Sequence, residues 1–469
     1  MVFAIFGTCV DTPEFGEVRG LHEPTLVVVS SGCIQSLYRG RAAEESRKTL
    51  ENQGVSVRVL HASEILVPGF IDTHIHFPQF PFTGAGIDKP LMGDDGFLVK
   101  YAFPTEESMS DLAIARSVYN AGLETLLRHG TTSALIFASI HCQASKELVD
   151  AAIRNRGPRA FVGKVCVDRH CPDSYIETTE TSINETEDFI NYTQARAAEA
   201  GHSPPYLVQP VVTPRFLPTC TAELLAGLSQ LAERYKCIIQ SHMSESIDEV
   251  EFSSALFEGK TDAEVFSDFG LLRAPSVMAH CVQMKCTEED LLRDSGAAIA
   301  HCPLSNFFFA SGALPVKQLI SRGIKVGLGT DVAGGYSPSM LSSMRAAVLA
   351  SKTLHFQYLP GAVQSSVGGL SVGAKEKESS KEQDDLSHFD ALYLATMGGA
   401  ASLGLQDLLG SFEEGKRFDA VLLTQVSTAL SFVCRHDSRE DLLQKILTLG
   451  DDRNVKEVFV DGQSVYSQP

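Results

Sequence analysis

The chain has 469 residues, 44% of them hydrophobic and 21% charged, the balance of an ordinary globular protein with room for a large core. Its formal net charge of −19 disfavours nucleic acid or an anionic membrane surface as a partner, and no apolar run is long enough to span a bilayer. Eleven cysteines, an odd number without framework spacing, point to reduced thiols in a cytoplasmic enzyme, not to disulfides.

Taken in order, the opening Met1–Phe6 is apolar but lacks a basic flank and a small-residue cleavage site, so it reads as a strand and not a signal. Leu26–Val29 and Val55–Leu60 are further β-rich runs, and the charged Gly40–Asn52 segment between them forms either a short helix or a loop. The tail is similar, with Ala420–Leu423 and Val455–Gly462 bounded by turn residues. A β-rich head and tail around a long middle predict that residues 1–66 and 411–469 pair into one small β-sandwich domain. Residues 67–410 form the other domain.

That middle alternates apolar runs with helical patterns. The runs are Val67–His76, Thr132–His141, Ala160–Asp168, Leu207–Arg215, Cys237–His242, Ser276–His280, Ala297–His301 and Ile324–Asp331. Helical segments between them include Glu106–Arg128, Ser182–Glu199, Ala222–Tyr235 and Thr287–Ser295. Strands alternating with helices argue for parallel βαβ units, and eight of them for a closed (β/α)8 TIM barrel. Gly361–Asp385 is polar, Gly/Ser-rich and charged, and is expected to be a surface insertion.

The strand ends carry the chemistry. The first run ends in His74-Ile75-His76, whose imidazoles, two residues apart on a strand, face the same way. The fifth ends in His242 with Glu245 just beyond, the sixth in His280, the seventh in His301 and the eighth in Asp331. Barrel strands point their C-terminal ends into one mouth, so these residues converge although the chain has only 14 histidines. His74, His76 and His242 supply imidazole ligands and Asp331 a carboxylate, a donor set for one zinc per subunit that iron would also accept. A catalytic zinc brings the pKa of its water to about 7. Asp331 can take a proton from that water and Glu245 can shuttle one to a substrate. His280 either orients the attacking water or supports the ligands around it.

These residues, in this order, resemble the amidohydrolase superfamily, more narrowly its mononuclear-zinc aminohydrolase branch and, within that branch, the guanine deaminases. The segments that carry the resemblance are Pro68–His76, Phe161–Cys166, Val211–Phe216, Gln240–Glu245, Val277–His280, Ser295–Pro303, Gly327–Ser337 and Leu449–Val455. The resemblance places zinc on His74, His76, His242 and Asp331, the proton shuttle on Glu245 and the active-site histidine on His280. It also assigns substrate recognition to Gln79 and Arg215, and it implies guanine as substrate and a homodimer. The chemistry agrees, since an amide can donate and accept against a purine edge and Arg can donate to O6 and N7. Phe216 stands either against the purine ring or as packing at the barrel rim. Rival readings are an aminohydrolase of another amino-heterocycle (adenine, a pterin or a triazine) and a non-catalytic barrel scaffold. The His-x-Glu and Pro-Cys-x-x-Cys pattern of cytidine-type deaminases is absent. Lys89–Leu98 departs from the family's entrance-loop pattern, being longer and lacking a Trp.

Overall fold

The computed structural model describes residues 2–201, 207–357, 385–425 and 437–468. Nearly all of the expected Gly361–Asp385 insertion lies outside them. No helix of the described residues is long and apolar enough to cross a membrane.

The chain begins with β1 (Val2–Gly7), β2 (Thr25–Ser30), β3 (Cys33–Arg39) and β4 (Ser56–Val59), followed by β5 (Glu64–Pro68). The first four make one sheet in the order β3-β2-β1-β4. Gly40–Asn52, left open between helix and loop, is helical from Arg41 to Asn52 and covers this sheet through Ala43. Arg41, Glu44, Glu45, Lys48 and Glu51 of that helix are exposed, whereas the Arg47 guanidinium lies over the Phe6 ring, 4.8 Å from its centroid.

β6 (Phe70–His76) starts the barrel and is followed by β7 (Thr131–Phe137), β8 (Arg159–Gly163), β9 (Val165–Cys166), β10 (Val208–Pro214) and β11 (Ile238–Met243). β12 (Ser276–His280), β13 (Ala298–His301) and β14 (Lys325–Leu328) complete it. The spatial order is β6-β7-β8-β10-β11-β12-β13-β14, all parallel, with β9 continuing β8 alongside β10. These are the eight expected strands, the third of them broken at Lys164. Each is apolar on both faces because one set of side chains packs under the helices and the alternate set fills the barrel. Ala134, Ile136, Ala160 and Val162 lie on the helix side, and Leu135, Phe161, Val277 and Ala298 inside. The expected Glu106–Arg128 helix is interrupted: a short helix, Phe103–Glu107, precedes a second one from Leu112 to Arg128. Asp111 resets the backbone, its extended conformation and its side chain capping Ala113 N.

β15 (Ala420–Thr424), β16 (Val455–Val460) and β17 (Gln463–Ser467) end the chain. The expectation of one sheet-paired β domain takes a specific form. β5 leaves the N-terminal strands and pairs antiparallel with β15, giving a second sheet β17-β16-β15-β5. The two sheets face each other through Ile5, Val27, Val29 and Ile34 on one side and Leu66, Phe418, Leu422 and Phe459 on the other.

The barrel closes between β14 and β6 without a regular ladder. Instead, Asp72 on β6 accepts from Thr330 N at 3.0 Å and from Thr330 Oγ1 at 2.5 Å. Backbone bonds then run from Asp331 N to His74 O and from His76 N to Val332 O, each 2.9 Å. Gly329 permits this approach, since a Cβ there would sit 3.0 Å from the His74 Cβ and 2.9 Å from the Cys302 sulfur.

Candidate active site

The strand-end residues named from the sequence meet at the barrel mouth. His74 and His76 are buried at the end of β6, His242 at the end of β11, His280 at the end of β12 and Asp331 beyond β14. Three of the turns that follow these strands use left-handed backbone at non-glycine residues: Ser244 (φ 49°), His280 (φ 71°) with Cys281 (φ 55°), and Asp331 (φ 50°). Such backbone is strained and persists only where the surrounding fold imposes it, commonly at functional sites.

The donor atoms crowd together. His76 Nε2 lies 3.0 Å from His242 Nε2, and Asp331 Oδ1 lies 3.1 Å from His74 Nε2 and 3.5 Å from His76 Nε2. Donors about 2.0–2.2 Å from a tetrahedral ion stand roughly 3.4 Å from one another, so these separations fit a single zinc-sized cation. Tautomers agree with that fit. His242 Nδ1 donates to Arg215 O at 2.6 Å, which leaves the Nε2 lone pair facing inward. His74 Nε2 has no hydrogen-bond partner despite its burial, an orphan that a metal bond would satisfy. Burial, aided by the neighbouring imidazoles and Arg215, holds all three histidines well below the usual imidazole range. They are therefore neutral at physiological pH, the form in which an imidazole can bind a metal.

His280 donates from Nδ1 to Asn306 Oδ1 at 2.9 Å, turning an acceptor Nε2 toward Glu245 Oε2 at 3.6 Å and Asp331 Oδ2 at 3.9 Å. Burial, reinforced by the charge of Asp331, pushes the Glu245 carboxyl well above the usual carboxylate range. His301, at the end of β13, is buried but stands outside the donor cluster. Lys164 is committed elsewhere: its Nζ lies 2.7 and 2.8 Å from the two carboxylate oxygens of Glu177.

A narrow cleft opens beside the cluster. His76, His242, Glu245, His280 and Asp331 form its floor, Gln79 and Arg215 its polar wall, and Leu91, Phe97, Leu98, Phe216 and Phe309 its apolar wall. Phe216 belongs to the same buried apolar cluster as Phe97 and Phe309 and lines the cleft. The Lys89–Leu98 stretch forms part of the wall through Leu91 and Leu98. Three residues escaped the sequence reading: Asp72 at the closing seam, Asn306 behind His280 and Glu106 between Gln79 and Arg215. Asp72 lies in a run that signals a buried strand but not the partner its carboxylate takes, and nothing in the local pattern around Asn306 or Glu106 marks those side chains as buried.

The amidohydrolase family profile matches residues 65–465. A guanine deaminase of Dictyostelium discoideum is 37% identical over 473 residues, covering 98% of this chain and 97% of that protein. One of Homo sapiens is 37% identical over 466 residues, covering 98% and 95%. The crystal structure of guanine deaminase from C. acetobutylicum with bound guanine superposes with a TM-score of 0.84 at 30% identity, covering 99% of this chain and all of that one.

Proposed function

The chain belongs to the amidohydrolase family, and from that premise we propose that it is a guanine deaminase, hydrolysing guanine to xanthine and ammonia. The observation that carries this reading is that Gln79 and Arg215 line the same cleft as the mouth of the His74, His76, His242 and Asp331 cluster, which supports a metal site beside a purine-binding one. A cleft with an apolar wall and a few convergent polar groups suits a flat heterocycle.

His74, His76, His242 and Asp331 would hold the metal, zinc on this donor set, and the ion supplies the Lewis acidity that makes water a nucleophile near neutral pH. Water adds at C2 of the ring, and Asp331 takes a proton from it with the His280 Nε2 alongside. Glu245 gives its proton to N3, which makes C2 electrophilic, then takes the C2 hydroxyl proton and passes it to the amine as the C2–N bond breaks, the C2 carbonyl forms and ammonia leaves; the proton held by Asp331 restores Glu245. Gln79 and Arg215 hold the ring in register, and Phe216 borders it.

The cysteines among the described residues are all free thiols, which supports work in a reducing compartment such as the cytoplasm. A homodimer completes the reading, and light scattering on the purified protein tests it. The decisive experiment for function is ammonia release from guanine by the metal-loaded protein, with adenine and cytosine as controls. Release from guanine alone is expected; release from adenine but not guanine sinks the reading.

A further inference from the structure

Gln79 and Arg215 lie on different elements, yet both end on a side chain that the chemistry above does not use. Glu106, on the short helix Phe103–Glu107, is fully buried. Its Oε1 accepts from Gln79 Nε2 at 2.8 Å, and its Oε2 accepts from Arg215 Nη1 at 2.6 Å. The Tyr175 hydroxyl donates to the same Oε2 at 2.5 Å and itself accepts from Ile140 N at 3.3 Å, which fixes the acid from another loop.

The consequence for Gln79 is chemical. A glutamine amide can turn over and exchange its donor and acceptor ends with almost no change in shape. Here the Ala333 N–H donates to Gln79 Oε1 at 3.1 Å while the carboxylate takes Nε2. One orientation satisfies both partners; the other would set a carbonyl against a carboxylate and an NH₂ against an N–H. The second N–H and the second lone pair of the amide are left for a ligand in the cleft. Arg215 is held in the same way, with one N–H on Glu106 and its guanidinium 5.0 Å above the Phe103 ring. Its remaining donors demand an acceptor.

We propose that Glu106 is the positioning residue that sets ring selectivity in this cleft, by locking Gln79 as a donor–acceptor pair and Arg215 as a pure donor. A ring with a carbonyl at C6 then meets Arg215 with an acceptor, whereas a hydrogen or an amino group there leaves the buried donors that Arg215 does not spend on Glu106 without one. Sites built to bond a substrate oxygen reject analogues lacking it far more strongly than apolar pockets reject a missing methylene. This inference rests on the guanine reading.

The test is steady-state kinetics with guanine and 2-aminopurine, which keeps the 2-amino group but has no oxygen at C6. Where 2-aminopurine only binds, its inhibition constant replaces kcat/KM. Glu106→Gln is expected to lower kcat/KM for guanine about 100-fold, mainly through KM, and to shrink the preference for guanine about tenfold or more, with metal content unchanged. Glu106→Asp keeps the charge opposite Arg215 but withdraws it by one methylene, which protects folding, and is expected to shrink the preference about threefold or more. A merely structural role lowers both substrates in proportion. An unchanged preference in Glu106→Asp, or in a folded Glu106→Gln, overturns the proposal while the guanine reading stands. A wild-type protein without guanine turnover overturns both.

Discussion

Glu245 and the acids behind it divide the work of holding protons. Burial and Asp331 push the Glu245 carboxyl well above the usual carboxylate range, and Glu245→Gln, which preserves shape but cannot pass a proton on, is expected to cut turnover about 10²–10⁴-fold. Metal analysis of the same variant should find the ion intact; wild-type-like turnover would remove Glu245 from the mechanism. Behind it, Glu249 accepts from Glu245 N at 3.1 Å and is hydrogen-bonded to Asp262, which accepts from Ser244 N at 2.9 Å. Burial pushes Asp262 up to about 6 from 3.8. A carboxyl held above its unfolded value adds stability that is fully present below that value and lost as pH rises through its folded value. Asp262→Asn is therefore expected to flatten the decline in melting temperature between about pH 4 and pH 7, a difference of a few degrees readable by calorimetry. The clustering of His74, His76, His242 and Asp331 was legible in the sequence because His and Asp sit at the ends of apolar runs whose ends must converge. Glu106 was not legible. It lies 27 residues from Gln79 and 109 from Arg215, and nothing in Phe103-Pro104-Thr105-Glu106-Glu107 tells a buried acid from an exposed one.

Strands and helices were readable to within a few residues wherever their apolar period was clean, as in the helix Ala222–Tyr235 and the strand Ser276–His280. They were misread where one polar group redirects the backbone, as Asp111 does by ending one helix and capping the next. At the end of β8 opposite the mouth, Arg159 is fully buried and bonds Asp419 at 2.6 and 3.0 Å and Asp461 at 3.1 Å. The arginine ties a barrel strand to the C-terminal sheet. Arg159→Met leaves two carboxylates without this partner and is expected to cost about 3–5 kcal/mol in urea unfolding. Its kcat at 25 °C should stay near wild type, because the network lies a strand's length from the cleft; a large loss of kcat with unchanged stability would contradict this.

At the scale of the molecule, a β-rich head and tail enclosing a barrel could be read from where strand-like runs fall along the chain. Which strand joined which sheet could not, because β5 satisfies the apolar pattern of either and only its antiparallel register with β15 decides. The barrel likewise could be counted but not closed on paper, since its last joint is made by Asp72 and by backbone bonds that flank two metal donors. Chelation is therefore expected to do more than abolish activity. Losing an ion that saturates its site about a thousandfold removes about 4 kcal/mol of stability, and amide exchange should rise first in β6 and β14. Uniform exchange across the barrel would argue against that link. The same joint fixes an order of events during synthesis. Thr330 follows Asp72 by 258 residues, a lag of roughly 10–50 s at ordinary translation rates. For that interval the nascent chain carries His74 and His76 without the strand that will close over them. A chain that stops short of Thr330 lacks Asp331 and the joint to β6, and is expected to show no turnover when assayed.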